Sequence, residues 1–198
     1  MKNLWLNSFF HHSLFIIHFF IIHYSFFHYS FLIFNLKKME ILFVCLGNIC
    51  RSPAAEAIMR KKLEERYGSS CGITVDSAGI GSWHEGQLPD ARMRRHGAAR
   101  GYRIDSRARQ IRRDDFVRFD VIFGMDGDNM KALSRLARTP EERGKLMCAA
   151  DFMTRHGEYS TVPDPYYGGD KDFELALDLI EDSCDGIIQW IENNRTES

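Results

Sequence analysis

The 198-residue chain has no acidic side chain before Met39, no Gly- or Pro-rich linker after it, and no cysteine spacing that reads as a disulfide framework. Each absence excludes something. Without a linker, the stretch after Met39 is expected to be one domain, and a hydrophobic share of 44% is enough to give it a core. With only five scattered cysteines, a stapled secreted scaffold is excluded, and a cytoplasmic body with free thiols is expected. Three of the 26 basic residues lie before Met39, leaving 23 against 27 acidic ones, a formal net charge of −4. Such a body is no generic nucleic-acid binder. No ordered metal-ligand pattern occurs, so no metal or other cofactor is expected.

Residues 1–38 hold nine of the fifteen phenylalanines and five of the eight histidines. Phe9 to Phe34 is long enough to span a bilayer, and Lys37-Lys38 would mark a cytoplasmic flank. Five histidines, Asn35 and scattered serines stand against that reading, and no small-residue cleavage site follows the run. Alternatively, Met39 is the natural start and the leader is translated upstream sequence, since Met39-Glu40-Ile41 enters a strand at once. The expected division is a Phe/His-rich leader over 1–38, disordered, spurious or a membrane anchor, and a catalytic domain over 39–198. Contact with a membrane is expected only if the leader is real.

What is present is decided at one seam. The apolar run Ile41-Leu42-Phe43-Val44 reads as a strand, and a helix pattern opens at Pro53 and stops at Gly68. Between them lies Cys45-Leu46-Gly47-Asn48-Ile49-Cys50-Arg51-Ser52. Five residues between a thiol and an arginine can curl so that the N–H groups of Leu46, Gly47, Asn48, Ile49, Cys50 and Ser52 converge on one tetrahedral oxyanion, with the helix N-terminus adding positive potential. In that field Cys45 is expected to be a thiolate nucleophile, while Arg51 offers a planar fork to two phosphoryl oxygens. A Cys-x5-Arg spacing also arises by chance, and a cysteine ending a buried strand is often a plain core residue. Here the preceding strand, the permissive Gly47 and Asn48 and the Ser-Pro helix start all agree with a phosphate cradle.

Further strands are expected at Ile73 to Ser77, Val121 to Met125 and, weakly, Lys145 to Cys148. Helices are expected over Asp90 to Gly101, from the Asp126 cap through Leu136, and over the last segment. In that segment Phe173, Leu177, Ile180, Cys184, Ile187, Ile188 and Ile191 recur at three- and four-residue steps. Alternating strands and helices point to a doubly wound α/β domain, whose ligand site lies beyond the C-terminal strand ends.

The segments Val44 to Ala57, Asp76-Ser77-Ala78-Gly79, Trp83-His84-Glu85-Gly86, Ala108-Arg109-Gln110-Ile111, Met125-Asp126 and Asp164-Pro165-Tyr166-Tyr167, taken in order, resemble the low-molecular-weight protein tyrosine phosphatases. The resemblance runs from about Met39 to the last helix. It implies a four-stranded parallel sheet in flavodoxin-like order with helices on both faces. It also implies metal-free hydrolysis of phosphotyrosine, in a protein or a small aryl phosphate, through a phosphocysteine. On this resemblance Asp164 is the general acid, although Asp-Pro is also a common turn. Asn48, in a left-handed conformation, is expected to bond Ser77, and Ser52 to donate to the Cys45 sulfur or simply cap the helix. Asp126 is expected to brace Arg51 or the cradle, or only to cap its helix. Trp83 and Tyr166 would flank the phosphotyrosine ring, with His84 at the rim, or be surface packing. A reversible Cys45–Cys50 disulfide is implied, with a packed loop cysteine as the alternative. The chain departs from the family at Ser106, where a histidine is often found.

Three other functions fit parts of the pattern. Arsenate reductases share the fold and loop but need a closely spaced cysteine relay, and here Cys71, Cys148 and Cys184 stand apart. Protein-arginine phosphatases resemble one another in a threonine where this chain has Ile49. A non-catalytic phosphate-binding or membrane-tethered scaffold would leave the joint presence of Cys45, Arg51 and Asp164 unexplained.

Overall fold

In the computed structural model the described residues are 38–68 and 71–195. The leader expectation therefore lies outside them. Four strands form one all-parallel sheet: β1 (Met39–Cys45), β2 (Ile73–Gly79), β3 (Val121–Gly124) and β4 (Leu146–Cys148), in the order β2-β1-β3-β4. Residues 41–44 of β1 are fully buried because both sheet faces are covered, as parallel strands require. Side chains alternate between the faces. Leu42 and Val44 join Ile111, Phe116, Phe119, Ile122 and Leu133 on one face. On the other, Phe43 stacks on Phe123, which meets Phe152 edge-on and through it Trp190.

The helices are α1 (Arg51–Tyr67), α2 (Ala91–Ala99), α3 (Asp115–Arg118), α4 (Gly127–Leu136), α5 (Pro140–Gly144) and α6 (Asp170–Arg195). The apolar stripe of α6 is the core face: every residue named above for it is at most 3% exposed. At Gly186 a side chain would meet the carbonyl oxygen of Phe152 at 1.7 Å, so only glycine lets α6 lie against the 3-10 turn Ala149–Phe152. Among the described residues, no helix is long and apolar enough to cross a membrane.

Boundaries moved where tertiary contacts overrode local pattern. Helix α1 begins at Arg51 with Cys50 as N-cap, so Ser52 lies inside the first turn and is not the cap. Strand β2 continues to Gly79 because its last residues pair with the end of β1. Helix α5, capped by the Thr139 hydroxyl, and the 3-10 turn lie between the expected elements.

Candidate active site

Strand β1 ends at Cys45, 3% exposed, and the chain curls through residues 46–50 into α1. The curl is possible because Asn48 takes φ 56°, the one non-glycine residue with positive φ among the described residues. It also needs Gly79. A Cβ there would sit 3.0 Å from the Gly47 carbonyl carbon and 3.1 Å from the Asn48 nitrogen, so the bare end of β2 is what the loop passes over.

Four carbonyls at the two ends of the loop are hydrogen-bonded. Cys45 O accepts from Ile80 N, Leu46 O from Gly81 N, Ile49 O from Asp90 N and Cys50 O from Ala54 N. No backbone N–H from Leu46 to Ser52 donates to a protein acceptor among the described residues. A loop with a run of unclaimed backbone N–H groups suits an external anion.

Side chains fix this shape. Asn48 Nδ2 donates to Ser52 Oγ and Ser77 Oγ, both at 2.9 Å, and its Oδ1 accepts from Arg109 N at 2.9 Å. Ser52 Oγ lies 3.1 Å from Cys45 Sγ and 3.1 Å from Ala78 O. Since its lone pair already takes the Asn48 proton, its single hydrogen points to the sulfur or to that carbonyl. Ser77 Oγ donates to Glu56 Oε2 at 2.6 Å, and Arg60 pairs with Glu56 Oε1 at 2.5 Å. Burial pushes the Glu56 carboxyl up, against the hydrogen bonds of Ser77 and Ser106 and the charge of Arg60. Ser106 thus stands in this network where the family often has histidine, and Arg60 supplies the cation.

Arg51, 2% exposed, lies beneath the loop. Its Nη1 donates to Asp126 Oδ2 at 2.5 Å and to Val162 O at 3.1 Å, and its Nη2 to Asp164 Oδ2 at 2.6 Å. Its Nε is buried without a partner among the described residues. Burial works to lower the Arg51 pKa, but Cys45, Asp164 and Asp126 outweigh it and hold the guanidinium above its usual range. Asp126 also caps α4 through Asn129 N at 2.7 Å, so both expected roles are filled by one carboxylate.

Cys45, Leu46, Gly47, Ile49, Cys50, Trp83, His84, Asp164, Tyr166 and Tyr167 line one cleft, open at its mouth. Trp83 (63% exposed) and Tyr167 (95%) stand at the rim. Cys50 is a free thiol, as is Cys45. Burial pushes the Cys50 thiol well up, helped by Asp90, Asp164 and Cys45. Among the described residues, no group of three His, Cys, Asp or Glu side chains is arranged to hold a metal.

The structure brings together every residue singled out for the site, and adds Glu56, Arg109 and Tyr167. Glu56 carried a signal: it falls on the helical face of Ser52, Met59 and Leu63, where a charge demands a buried partner. Arg109 carried little, because it acts through its backbone N–H and through ion pairs with Asp76 and Asp115.

Comparison with known proteins places this geometry. Residues 40–197 match the family model for low molecular weight phosphotyrosine protein phosphatase. A Synechocystis sp. protein provisionally named a low molecular weight protein-tyrosine-phosphatase is 46% identical over 154 residues, spanning 76% of this chain and 94% of its own. The crystal structure of a protein tyrosine phosphatase from Entamoeba histolytica superposes with a TM-score of 0.76 at 45% identity, covering 79% of this chain and 98% of that one. That of a Drosophila arginine phosphatase reaches 0.70 at 36% identity, covering 76% and 96%. The chain therefore belongs to the low molecular weight phosphotyrosine protein phosphatase family.

Proposed function

We propose that the chain hydrolyses phosphotyrosine, in proteins or small aryl phosphates, with Cys45 as nucleophile, Arg51 as phosphoryl-binding cation and Asp164 as general acid and base. The observation that carries this is the set of unclaimed N–H groups over Cys45, with a buried Arg51 Nε beside them. Three non-bridging oxygens dock on these donors, which stabilise the charge that develops as phosphorus is attacked. The Cys45 thiolate displaces the phenol, and Asp164 protonates the leaving oxygen. In the second step Asp164 takes a proton from the attacking water, and the Ser52 hydroxyl stabilises the departing sulfur. Asn48, Ser77, Glu56 and Asp126 hold the parts in place.

Substrate depth favours tyrosine. The cleft walls at Trp83 and Tyr166 suit a ring, and a phosphoserine chain is too short to bring its phosphorus to Cys45. Ile49 lines the same cleft, and an aliphatic wall favours an aryl ester. Likeness to a Drosophila arginine phosphatase keeps phosphoarginine as the second substrate to test. A nucleophilic thiol needs a reducing compartment, which favours the cytoplasm. Residues 39–198 are the catalytic domain in this reading, and the leader takes no part in the reaction.

The full chain should hydrolyse p-nitrophenyl phosphate and phosphotyrosine peptides with EDTA present, and vanadate should inhibit it. Cys45→Ser should abolish turnover yet still bind vanadate. Activity lost to EDTA, or faster turnover of phosphoserine or phosphoarginine peptides than of phosphotyrosine, would overturn the assignment.

A further inference from the structure

We propose that Arg92 is a positioning residue for the loop that carries Asp164, acting with Asp90 as a clamp between that loop and the phosphate cradle. Its catalytic consequence rests on the phosphatase reading above. Asp90 touches the cradle directly, donating its backbone N–H to Ile49 O at 2.8 Å. Its carboxylate caps α2 through Arg92 N at 2.8 Å and grips the Arg92 side chain twice, at Nε (3.0 Å) and Nη2 (2.8 Å).

The rest of the Arg92 guanidinium faces the acid loop. Nη2 donates to Tyr166 O at 2.9 Å and Nη1 to Gly168 O at 3.3 Å. The group also lies over the ring of Phe173, 4.6 Å from its centroid, and 5.7 Å from that of Tyr166. Two bonds to one carboxylate and one to each of two carbonyls need a planar fork, which lysine lacks.

The clamp matters because of how the loop is otherwise held. Upstream of Asp164, Val162 is tied twice, through its N–H to Met125 O at 2.8 Å and through its carbonyl to Arg51. Downstream, the bonds Tyr166 N to Asp164 Oδ1 and Gly168 N to Pro165 O run within the loop, and Gly169 is tied to α6, its N–H donating to Asp172 Oδ2 and its carbonyl accepting from Asp172 N and Phe173 N. Asp164 itself is held by Arg51 Nη2. A phosphoryl dianion competes for that same Nη2. When it binds, Asp164 loses its tether as it must aim a proton at the leaving oxygen. Between Asp164 and the Gly169 anchor, the bonds that reach the loop from outside then come from Arg92, at Tyr166 O and Gly168 O, and they fix both the acid and the Tyr166 wall.

The test compares the full chain with its Arg92→Met, Arg92→Lys and Asp90→Asn variants. Methionine keeps the packing on Phe173 and removes every donor, and asparagine keeps an oxygen to cap α2. Amide exchange of residues 166–169 should rise at least about fivefold in Arg92→Met while exchange in α1 stays at the parent level. The value of kcat/KM contains the first P–O cleavage whichever step limits kcat. It should fall about tenfold more for phenyl phosphate, a poor leaving group, than for p-nitrophenyl phosphate. Arg92→Lys should lie between parent and Arg92→Met. Unchanged loop exchange in both Arg92→Met and Asp90→Asn would overturn the clamp. Raised exchange with equal losses on the two esters would overturn its role in aiming the acid. A parent chain inactive on both esters would overturn the phosphatase reading and this catalytic role with it, while the exchange result would still decide the clamp.

Discussion

Arg51 Nη2 lies 2.6 Å from Asp164 Oδ2, so the cation and the acid to which we assign phosphoryl binding and proton transfer are ion-paired with each other. Arg51 is also paired to Asp126 at 2.5 Å, which gives one buried cation two carboxylates. An entering dianion must separate Arg51 from Asp164, and the cost of doing so subtracts from its affinity.

Asp164→Ala should therefore do two opposite things. It should lower kcat/KM on phenyl phosphate by about 10² or more and on p-nitrophenyl phosphate by less, because the acid is needed most for the poorer leaving group. It should also tighten competitive inhibition by inorganic phosphate several-fold, because Arg51 no longer has to be released. Steady-state inhibition at pH 7 reads both effects. Equal losses on the two esters would remove Asp164 as proton donor, and weaker phosphate inhibition would contradict the competition.

Cys50 shares the cleft with Cys45, and a disulfide between them would form when Cys50 captures an oxidised Cys45. Capture needs the Cys50 thiolate, which burial, Asp90 and Asp164 disfavour. Peroxide-treated protein should regain activity under dithiothreitol, and the recovered fraction should rise from pH 7 to pH 9 as more of that thiolate forms. Cys50→Ser should recover less at every pH. Equal recovery by parent and variant would make Cys50 a packing residue.

Asp182 on α6 is fully buried and accepts backbone N–H bonds from Thr154 (3.1 Å), Arg155 (2.8 Å) and His156 (2.9 Å). Burial raises its pKa, but these bonds and the His156 ring outweigh burial and bring the carboxyl down to about 2. A carboxyl depressed from an ordinary value near 3.8 stabilises the fold above about pH 4, and loses that contribution as pH falls toward 2. Asp182→Asn should thus cost about 2 kcal/mol at pH 7 and close to nothing near pH 2. Denaturant melts of both proteins across that range would show it. A gap that stays constant with pH would place the effect in packing and not in charge.

Deleting residues 1–38 should leave kcat and KM unchanged, because β1 begins at Met39 and the described residues that line the cleft run from Cys45 onward. The deletion should also improve solubility by removing a segment rich in Phe and Ile. Fractionating cells that make the native chain completes the test. A full-length species retained in membranes after alkaline carbonate washing would make the leader an anchor, and a chain starting at Met39 would make it upstream sequence.

The parts legible in advance were those whose chemistry is local in the chain. The apolar run 41–44, the curl at Gly47-Asn48 and the Ser-Pro helix start lie within a dozen residues and can be read directly. The α6 stripe is legible for the same reason, since one helix face repeats every three or four positions. Less legible were Glu56, whose partners Ser77 and Arg60 sit on a strand and on its own helix, and Arg92, whose function lies in carbonyls seventy-odd residues away.

By itself the sequence determined the curl of the loop, the cysteine at its base, the strand that delivers it and the helix that follows it, because backbone geometry acts over a few ångströms. Only the tertiary structure decided that Arg51 divides itself between Asp126 and Asp164, that Ser106 and Arg60 complete the Glu56 network, and that Asp90 and Arg92 join the cradle to the acid loop. The physical reason is that ion pairs and hydrogen bonds depend on distance in space, and parallel strands joined by crossover helices bring to one sheet edge groups that the chain keeps far apart.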